Sequence, residues 1–403
     1  IVGRFLGKEA LAAVSASFFI YYFIISLAIG VGSGITVVVS QRFGARDHAA
    51  VRRAFSSFLL FAIVAGAVLS VVGVVGADAF FRLTRTPPEV MPYALRYFRV
   101  YAAGTLFFIL FYSALSILRG IGDSVRPMHF VLATAVLNIA FDLLFILVFR
   151  WDIEGAAAAT VLAQACGVAL AIRHIRRHDL LSLRRRDLVF DRPLFLQGVR
   201  IGIPTGVQQC AIAIGLVALL GIVNGFGADT LTAYGAAGKI DSIIVQIILT
   251  LSGALSAFCG QNIGAGRFDR VHAGVRFAML FNVCLCFVVL AAILAFGRQM
   301  MGAFTEDADV MAIGQEYLTI LGAVLVFHGA LSILNGAMRG AGDTFFAMVT
   351  GIVSFWLIRI PLATLFSRAW GREGIWWAIA ASITLAFIAT LIYYRTGRWK
   401  RRL

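Results

Sequence analysis

The chain has 403 residues, of which 61% are hydrophobic and only 14% are charged, and its mean hydropathy is +0.91. A soluble globular chain carries about 25% charged residues, so the composition excludes a soluble enzyme, a disordered chain and a disulfide scaffold. A net charge of +15 would suggest nucleic-acid binding in a soluble domain, but membrane proteins collect Lys and Arg in cytoplasmic loops. We therefore expect an all-α, polytopic membrane protein.

Eleven apolar segments are long enough to cross a bilayer, since a membrane-spanning helix needs about 20 apolar residues. In chain order they lie at 12–40, 55–77, 98–118, 128–149, 156–174, 199–223, 232–259, 273–297, 315–337, 345–366 and 374–394. The loops between them are short except for an arginine-rich stretch before 199–223. We therefore expect an N-terminal lobe at 1–175, a basic cytoplasmic linker at 176–198 and a C-terminal lobe at 199–403.

An internal repeat supports this division into two lobes. The sequence RGIGDS at 119–124 resembles RGAGDT at 339–344, and QRFGA at 41–45 resembles QNIGA at 261–265, which lies at the same offset. The span at 199–223 has no counterpart in the first lobe. We therefore expect two six-helix lobes in the native protein, with eleven spans present here and the first helix missing upstream of residue 1.

The repeated RGxGD motif is expected to end a helix in each lobe. Its second glycine can adopt a positive φ, and the aspartates Asp123 and Asp343 can cap the following helix. A structural turn is the favoured interpretation of the motif, and a gating role is the alternative.

The distribution of the 35 Lys and Arg residues predicts the orientation of the chain. Most of them lie on one side of the membrane, which includes the 175–198 loop and the C-terminal tail, and the positive-inside rule makes this side cytoplasmic. Both lobes then share one orientation around a central cleft, as in transporters built from parallel repeats. We expect a monomer in the cell membrane that contacts membrane lipids and binds no nucleic acid.

Motifs for other chemistries are absent from the sequence. There is no GxxxxGK[ST] loop for ATP, no HExxH and no GxSxG. The five cysteines form no CxxC pair that would bind zinc or act in redox chemistry. We therefore expect neither enzyme activity nor a cofactor. Gly30, Gly32 and Gly34 lie inside a predicted span, where small residues allow helices to pack closely.

Six short segments occur in a specific order along the chain. They are GKEALAA at 7–13, QRFGA at 41–45, LNIAFD at 137–142, EGAAAAT at 154–160, QNIGAG at 261–266 and MRGAGDT at 338–344. Together they resemble motifs of the multidrug and toxic compound extrusion (MATE) family over nearly the whole chain. The resemblance implies secondary active efflux of bulky, often cationic organic compounds, driven by inward Na+ or H+.

Asp142 is an acid inside a predicted span, where an ionisable side chain costs about 2.5–3.5 kcal/mol. Asn138 lies one helical turn before it, so both side chains share one helix face. A carboxylate beside an amide oxygen suits Na+, and the carboxylate alone can carry H+. The resemblance implies that Thr160 on the next helix and an Asp on the missing first helix complete a cation-coupling site, with Na+ as the metal that Asn138 and Asp142 would hold. A packed polar pair is the structural alternative.

Other polar residues inside second-lobe spans are candidates for substrate-binding or proton-sensitive positions in the cleft: Gln208, Lys239, Asp241, His328 and Arg359. Lys239 and Asp241 point to different faces of one helix, and separate packing partners are the alternative for them. A packed neutral imidazole is the alternative for His328, and a cation satisfied by carbonyls or an acid is the alternative for Arg359. Gln208 lies on a helix where some MATE branches carry a glutamate, which argues against their kind of second-lobe cation site.

We therefore expect a secondary active multidrug exporter that works by cation-coupled antiport and alternating access, with Na+ and H+ as alternative coupling ions. A lipid-linked oligosaccharide flippase of the same superfamily is the alternative. Such a flippase would need a cationic cleft, whereas the two buried cations here are balanced by two acids. A channel or a non-transporting membrane scaffold is a more distant alternative.

Overall fold

The computed structural model describes residues 6–182 and 187–402, which are helical over nearly their whole length. They form two compact units that divide between Gly206 and Val207. The arginines at 184–186 of the predicted linker lie outside the described residues.

The first unit consists of six helices and the start of a seventh. They are α1 (Gly7–Gly44), α2 (His48–Leu83), α3 (Met91–Ala103), α4 (Thr105–Gly120), α5 (Val125–Leu143), α6 (Ile153–Arg176) and α7 (Arg192–Asn224). A π-helical turn, Leu144–Val148, follows α5 directly. Helix α4 packs against α1, α2 and α6, and α5 packs against α6. An apolar core that includes Ile35, Phe58 and Leu118 lies among these helices.

The second unit continues from the middle of α7. Its helices are α8 (Ala228–Gly264), α9 (Phe268–Gly302), α10 (Ala308–Gly340), α11 (Phe345–Ile352), α12 (Ile360–Trp370) and α13 (Glu373–Arg395), followed by a 3₁₀ helix at Arg398–Arg402. A π-helical turn, Val353–Arg359, joins α11 to α12. Helix α10 is central, since it packs against α8, α9 and α13. The apolar core of the second unit includes the buried side chains of Tyr317, Leu321 and Trp376.

The described residues contain ten helices long and apolar enough to cross a membrane, or eleven if one bent pair is counted as a single span. The bent pair is α3 and α4, which meet at an angle of 46°. The predicted span at 98–118 falls on this bent pair. The bend falls at Gly104, where a side chain would collide with Val161, and glycine weakens a helix at that point.

Helix boundaries confirm the internal repeat. Helices α9, α11 and α13 of the second unit begin at one constant offset from α2, α5 and α6 of the first, and this is the offset that relates the repeated motifs. The second unit has one straight helix, α10, where the first has the bent pair α3 and α4. The all-α, duplicated architecture expected from the sequence is thus present.

The two RGxGD motifs form turns of the predicted kind. Gly122 and Gly342 have φ values of 91° and 84°. Asp123 Oδ1 accepts a hydrogen bond from the Arg126 N–H at 3.0 Å and so caps α5. Its Oδ2 lies 3.2 Å from His174 Nε2 on α6, the last helix of the first unit before the linker.

The corresponding turn of the second unit makes the same kind of contact with a different side chain. The Tyr393 hydroxyl on α13 donates to Asp343 Oδ2 at 2.6 Å. An alignment shifted by one residue from that of the repeated motifs matches Trp151 with Trp370 and also His174 with Tyr393, so the two side chains occupy equivalent positions. Each turn is thereby hydrogen-bonded to the last long helix of its own half.

The glycines of α1 lie at close helix contacts, as the sequence predicted. A Cβ on Gly30 would lie 2.7 Å from the Gly202 carbonyl oxygen, and one on Gly202 would lie 2.6 Å from the Gly30 carbonyl oxygen. A Cβ on Gly32 would meet the ring of Tyr112. The backbones of α1 and the first half of α7 therefore approach each other as closely as glycine allows.

Candidate functional site

Asn138 on α5 and Thr160 on α6 are in direct contact in the first unit. Asn138 Nδ2 donates to Thr160 Oγ1 at 3.2 Å, and Thr160 Oγ1 donates in turn to the Ala156 carbonyl at 3.2 Å. The contact follows from the packing of α5 against α6. The amide oxygen of Asn138 is not used in this chain of hydrogen bonds and stays available as a ligand.

Asp142 lies one helical turn beyond Asn138 and just before the π-helical turn at Leu144–Val148. Its Oδ1 is enclosed and has no hydrogen-bond partner among the described residues. A buried carboxylate oxygen without a partner is costly. A cation beside Asp142 would remove that cost, and π-helical turns often occur at functional sites.

Tyr97 lies near Asp142 and belongs to a group of three tyrosines. Tyr97 interacts electrostatically with the Asp142 carboxylate, and its ring stacks on that of Tyr101 at 6.2 Å between centroids. Tyr101 also makes an edge contact with Tyr21 at 4.6 Å. The sequence analysis did not identify these residues. A signal was available for one of them, because the alignment of the repeated motifs places Tyr97 on Tyr317.

The second unit brings together three of the predicted residues: Asp241, His328 and Arg359. Arg359 interacts electrostatically with both Asp241 and His328. Asp241 also interacts electrostatically with Tyr317, a buried residue that the sequence analysis did not identify. Arg359 Nε donates to Ser382 Oγ at 2.9 Å. An acid, a guanidinium and an imidazole thus share one polar region between α8, α10 and the second π-helical turn.

The structure does not bring Gln208 or Lys239 to this region. Gln208 Nε2 donates to the Ala347 carbonyl at 2.9 Å and so joins α7 to α11. Lys239 is exposed, and its Nζ lies 5.6 Å from the ring centroid of Phe304. For Lys239 this arrangement corresponds to the packing alternative stated above.

The donor atoms near Asp142 define what that site could bind. The residues described by the structure include no group of three or more His, Cys, Asp or Glu side chains that could hold a metal ion. The first unit instead offers one carboxylate with neutral oxygens from an amide and a hydroxyl. Such hard oxygen ligands suit Na+, and the carboxylate alone suits H+.

Comparison with known proteins gives matches along nearly the whole chain. The MatE family model matches residues 1–144 and 204–365. The chain is 30% identical to the "Probable multidrug resistance protein YpnP" of Bacillus subtilis (strain 168), over 99% of this chain and 89% of that protein. It is 24% identical to the "Probable multidrug resistance protein NorM" of Thermotoga maritima, over 99% of this chain and 88% of that protein.

Solved structures give the same result for the fold. A crystal structure of MATE in the bent conformation matches with a TM-score of 0.93 at 24% identity, over 100% of this chain and 90% of that chain. The outward-facing conformation of a multidrug resistance MATE family transporter of the MOP superfamily matches with a TM-score of 0.92, over 98% and 89%. The family match covers well over half of the chain. The chain therefore belongs to the MatE family, and it is a multi-span membrane transporter and not an enzyme.

Proposed function

We propose that the chain exports bulky, cationic organic compounds by antiport with Na+ or H+, and that Asn138, Asp142 and Thr160 form the coupling site. Membership of the MatE family and the names of its relatives support multidrug efflux. The observation that carries the coupling site is the enclosed Oδ1 of Asp142, which lacks a partner among the described residues. It lies one turn from an amide that bonds the hydroxyl of Thr160.

Coupling follows from the charge of Asp142. A carboxylate at membrane depth is unfavourable by about 2.5–3.5 kcal/mol, and binding of Na+ or H+ neutralises it. A conformation that encloses Asp142 is therefore favoured when the cation is bound, and a conformation that exposes it is favoured after release. The ring of Tyr97, which is partly exposed, adds a surface that attracts an organic cation.

The test is Asp142→Asn in the full chain, reconstituted in proteoliposomes that carry an imposed Na+ or H+ gradient. Ethidium, a fluorescent organic cation, reports transport. We expect wild-type protein to move ethidium under one of the two gradients, and the variant to lose that gradient-driven transport by about a hundredfold or more, because an amide cannot release and rebind a proton and binds Na+ weakly.

Asp78→Asn is the matched control, since Asp78 is an acid paired with Arg82 at 2.7 Å at the exposed end of α2. This control is expected to transport at the wild-type rate. Equal incorporation of all variants into the vesicles is measured by gel. Gradient-driven transport at the wild-type rate by Asp142→Asn would contradict the coupling site. Absence of ethidium transport by the wild-type protein under both gradients would contradict cation antiport.

A further inference from the structure

An open groove of about 680 Å³ runs along α13 in the second unit. Most of its lining residues belong to α13, and the others come from α10 (Val324) and α12 (Phe366 and Trp370). Within α13 the lining extends from Glu373, the first residue of the helix, to Leu385. At 1.5 Å per residue this is a length of about 18 Å along the helix axis. The groove therefore reaches from the end of a membrane-spanning helix to the middle of the span.

The groove lies on the outside of the unit and not in its interior polar region. Ser382, which binds Arg359 in that region, belongs to the same helix. Ala380 and Thr384 line the groove, and each lies two residues from Ser382, which is about 200° around the helix. An exposed apolar stripe along a membrane-spanning helix is expected to face lipid. On this side of α13 the exposed large side chains are Trp377, Leu385, Ile388 and Ile392.

A single negative charge lies at the mouth of the groove. Among the described residues that line it, Glu373 is the only charged one. No ion pair within 4.0 Å joins Glu373 to a cation in the described part of the chain. Its neighbour Arg372 pairs with Glu316 at 3.8 Å, and Glu316 repels Glu373 electrostatically. Two acids thus share one arginine, so a further cation would be attracted to Glu373.

Two exposed tryptophans accompany this acid. Trp377 follows Glu373 by one helical turn, so both side chains share one face of α13. Trp370 ends α12 and packs on Phe366, with 4.7 Å between the ring centroids. Tryptophan is enriched where a membrane meets water, and its ring attracts an ammonium group. The mouth of the groove therefore suits a cation at the membrane boundary, and its apolar depth suits an alkyl chain.

The first unit lacks these features at the equivalent positions. The alignment that matches Trp151 with Trp370 places Glu154 on Glu373 and Ala158 on Trp377. Glu154 is paired with Arg96 at 3.2 Å, and alanine offers no ring. The architecture that the two units share therefore does not require a free acid beside a tryptophan at the start of this helix.

We propose that the groove binds a membrane phospholipid whose headgroup carries an ammonium. The ammonium lies at Glu373 beside Trp370 and Trp377, and one acyl chain lies along α13 toward Leu385. An anionic headgroup would be repelled by Glu373, and a small soluble cation would leave the apolar part of the groove uncovered. This site is separate from the coupling site around Asp142 and does not depend on the proposed transport activity.

The experiment measures lipid retention by native mass spectrometry of the purified full chain in detergent. Phosphatidylethanolamine and phosphatidylglycerol with identical acyl chains are added in equal amounts. We expect the wild-type protein to retain phosphatidylethanolamine at least about threefold more than phosphatidylglycerol, since an exposed ion pair and a cation–π contact each contribute modestly. Equal retention of the two lipids, or a preference for phosphatidylglycerol, would overturn the proposal.

Two variants assign the headgroup to the groove. Glu373→Gln removes the charge and keeps the shape, so we expect it to retain the two lipids equally. Trp377→Ala introduces the residue of the first unit at an exposed position and is expected to retain less phosphatidylethanolamine than the wild-type protein. A wild-type preference in Glu373→Gln would place the headgroup elsewhere and overturn the proposal.

Glu154→Gln is the matched control, because Glu154 is the equivalent acid of the first unit and is already paired with Arg96. This variant removes the same charge from the chain and is expected to keep the wild-type lipid preference. If Glu154→Gln loses the preference as fully as Glu373→Gln does, the lipid responds to the net charge of the chain and the proposed site is wrong.

A single-chain organic cation tests the alternative occupant of the groove. Dodecyltrimethylammonium is added to the wild-type protein at the same concentration as phosphatidylethanolamine. We expect the phospholipid to remain bound. Displacement of phosphatidylethanolamine by dodecyltrimethylammonium would make the groove a site for organic cations and would overturn its assignment to a phospholipid.

Discussion

A tyrosine accompanies the membrane acid in each unit. Tyr97 interacts electrostatically with Asp142, and Tyr317 interacts electrostatically with Asp241. The two tyrosines are separated along the chain by the same offset that relates the repeated motifs. A phenol can donate a hydrogen bond to a carboxylate without adding a positive charge, so it holds the acid in place and leaves its charge for another partner.

We predict that Tyr317→Phe lowers the stability of the purified protein. The substitution keeps the ring, which is buried and packs edge-on against Trp376, but removes the hydroxyl that interacts with Asp241. Loss of a donor to a poorly hydrated carboxylate costs about 1–3 kcal/mol. Thermal unfolding in detergent, followed by tryptophan fluorescence, measures the effect.

Tyr234→Phe provides the comparison, since Tyr234 packs on the same tryptophan and has no hydrogen bond among the described residues. Its unfolding temperature is expected to stay close to that of the wild-type protein. An equal decrease for both variants would show that the hydroxyl of Tyr317 contributes nothing specific.

The sequence predicted more of the site in the first unit than of the polar region in the second unit. The spacing of Asn138 and Asp142 placed them on one helix face, and the MATE resemblance supplied Thr160, which the structure finds bonded to Asn138. In the second unit, spacing along one helix separated Lys239 from Asp241 but gave no information about neighbouring helices. Tertiary packing decides that Asp241 lies near Arg359 while Lys239 lies over Phe304.

At the scale of helices, α1 and α7 illustrate how glycine sets the distance between two backbones. A Cβ on Gly202 would meet three backbone atoms within 3.5 Å, and the nearest is the Gly30 carbonyl oxygen at 2.6 Å. Backbone atoms inside two packed helices cannot move aside as a flexible side chain can. Only a shift of a whole helix could accommodate a side chain there.

We therefore predict that Gly202→Ala destabilises the protein by about 1–3 kcal/mol, the usual cost of overpacking, although alanine favours helix by about 1 kcal/mol over glycine. Gly76→Ala in α2 is the control, because nothing lies within 4 Å of a Cβ at Gly76. That variant is expected to be as stable as wild type or more stable. The unfolding temperatures of both variants are measured. An unfolding temperature of Gly202→Ala equal to that of the wild-type protein would mean that α1 and α7 can separate freely.

The bend between α3 and α4 shows what apolar composition leaves undetermined. Hydropathy treats 98–118 and 315–337 alike, yet the first is bent by 46° and the second is part of the straight helix α10. The difference coincides with Gly104, whose position corresponds to Val324 in the second unit. Close packing of Gly104 on Val161 depends on contact between α4 and α6, which hydropathy does not include.

For the whole molecule, the sequence predicted the class of fold and the duplication with little ambiguity. Composition required a membrane protein, and the constant offset between the repeated motifs reappears in the starts of the helices. The division into compact units differs in detail, since it falls inside α7 near Pro204 and not in the arginine-rich segment. Charge and hydropathy mark where a chain leaves the membrane, whereas a compact unit is defined by packing.

The orientation of the chain is open to a direct test. We predict that Ser182→Cys, in the arginine-rich loop, reacts with a membrane-impermeant maleimide only from the cytoplasmic side, and that Glu89→Cys, between α2 and α3, reacts only from outside. Both positions are exposed. The background is a variant in which the five native cysteines are replaced by alanine or serine.

Labelling of intact cells and of inverted membrane vesicles distinguishes the two sides. The expected pattern rests on the excess of Lys and Arg in the cytoplasmic loops. The opposite pattern at both positions would reverse the orientation, and labelling of both from one side would contradict an odd number of membrane crossings between them.

Asp123 and Asp343 hold the last helix of their own half through different partners, an imidazole at His174 and a phenol at Tyr393. A duplicated gene starts from two identical copies, so at least one of these rings arose by replacement while the aspartate stayed. Both rings can donate a hydrogen bond from a planar group to a carboxylate, which makes the exchange tolerable. The two halves have therefore kept the position at which the turn contacts the last helix, although they have not kept the amino acid at that position. The shared position is the better evidence for their common descent.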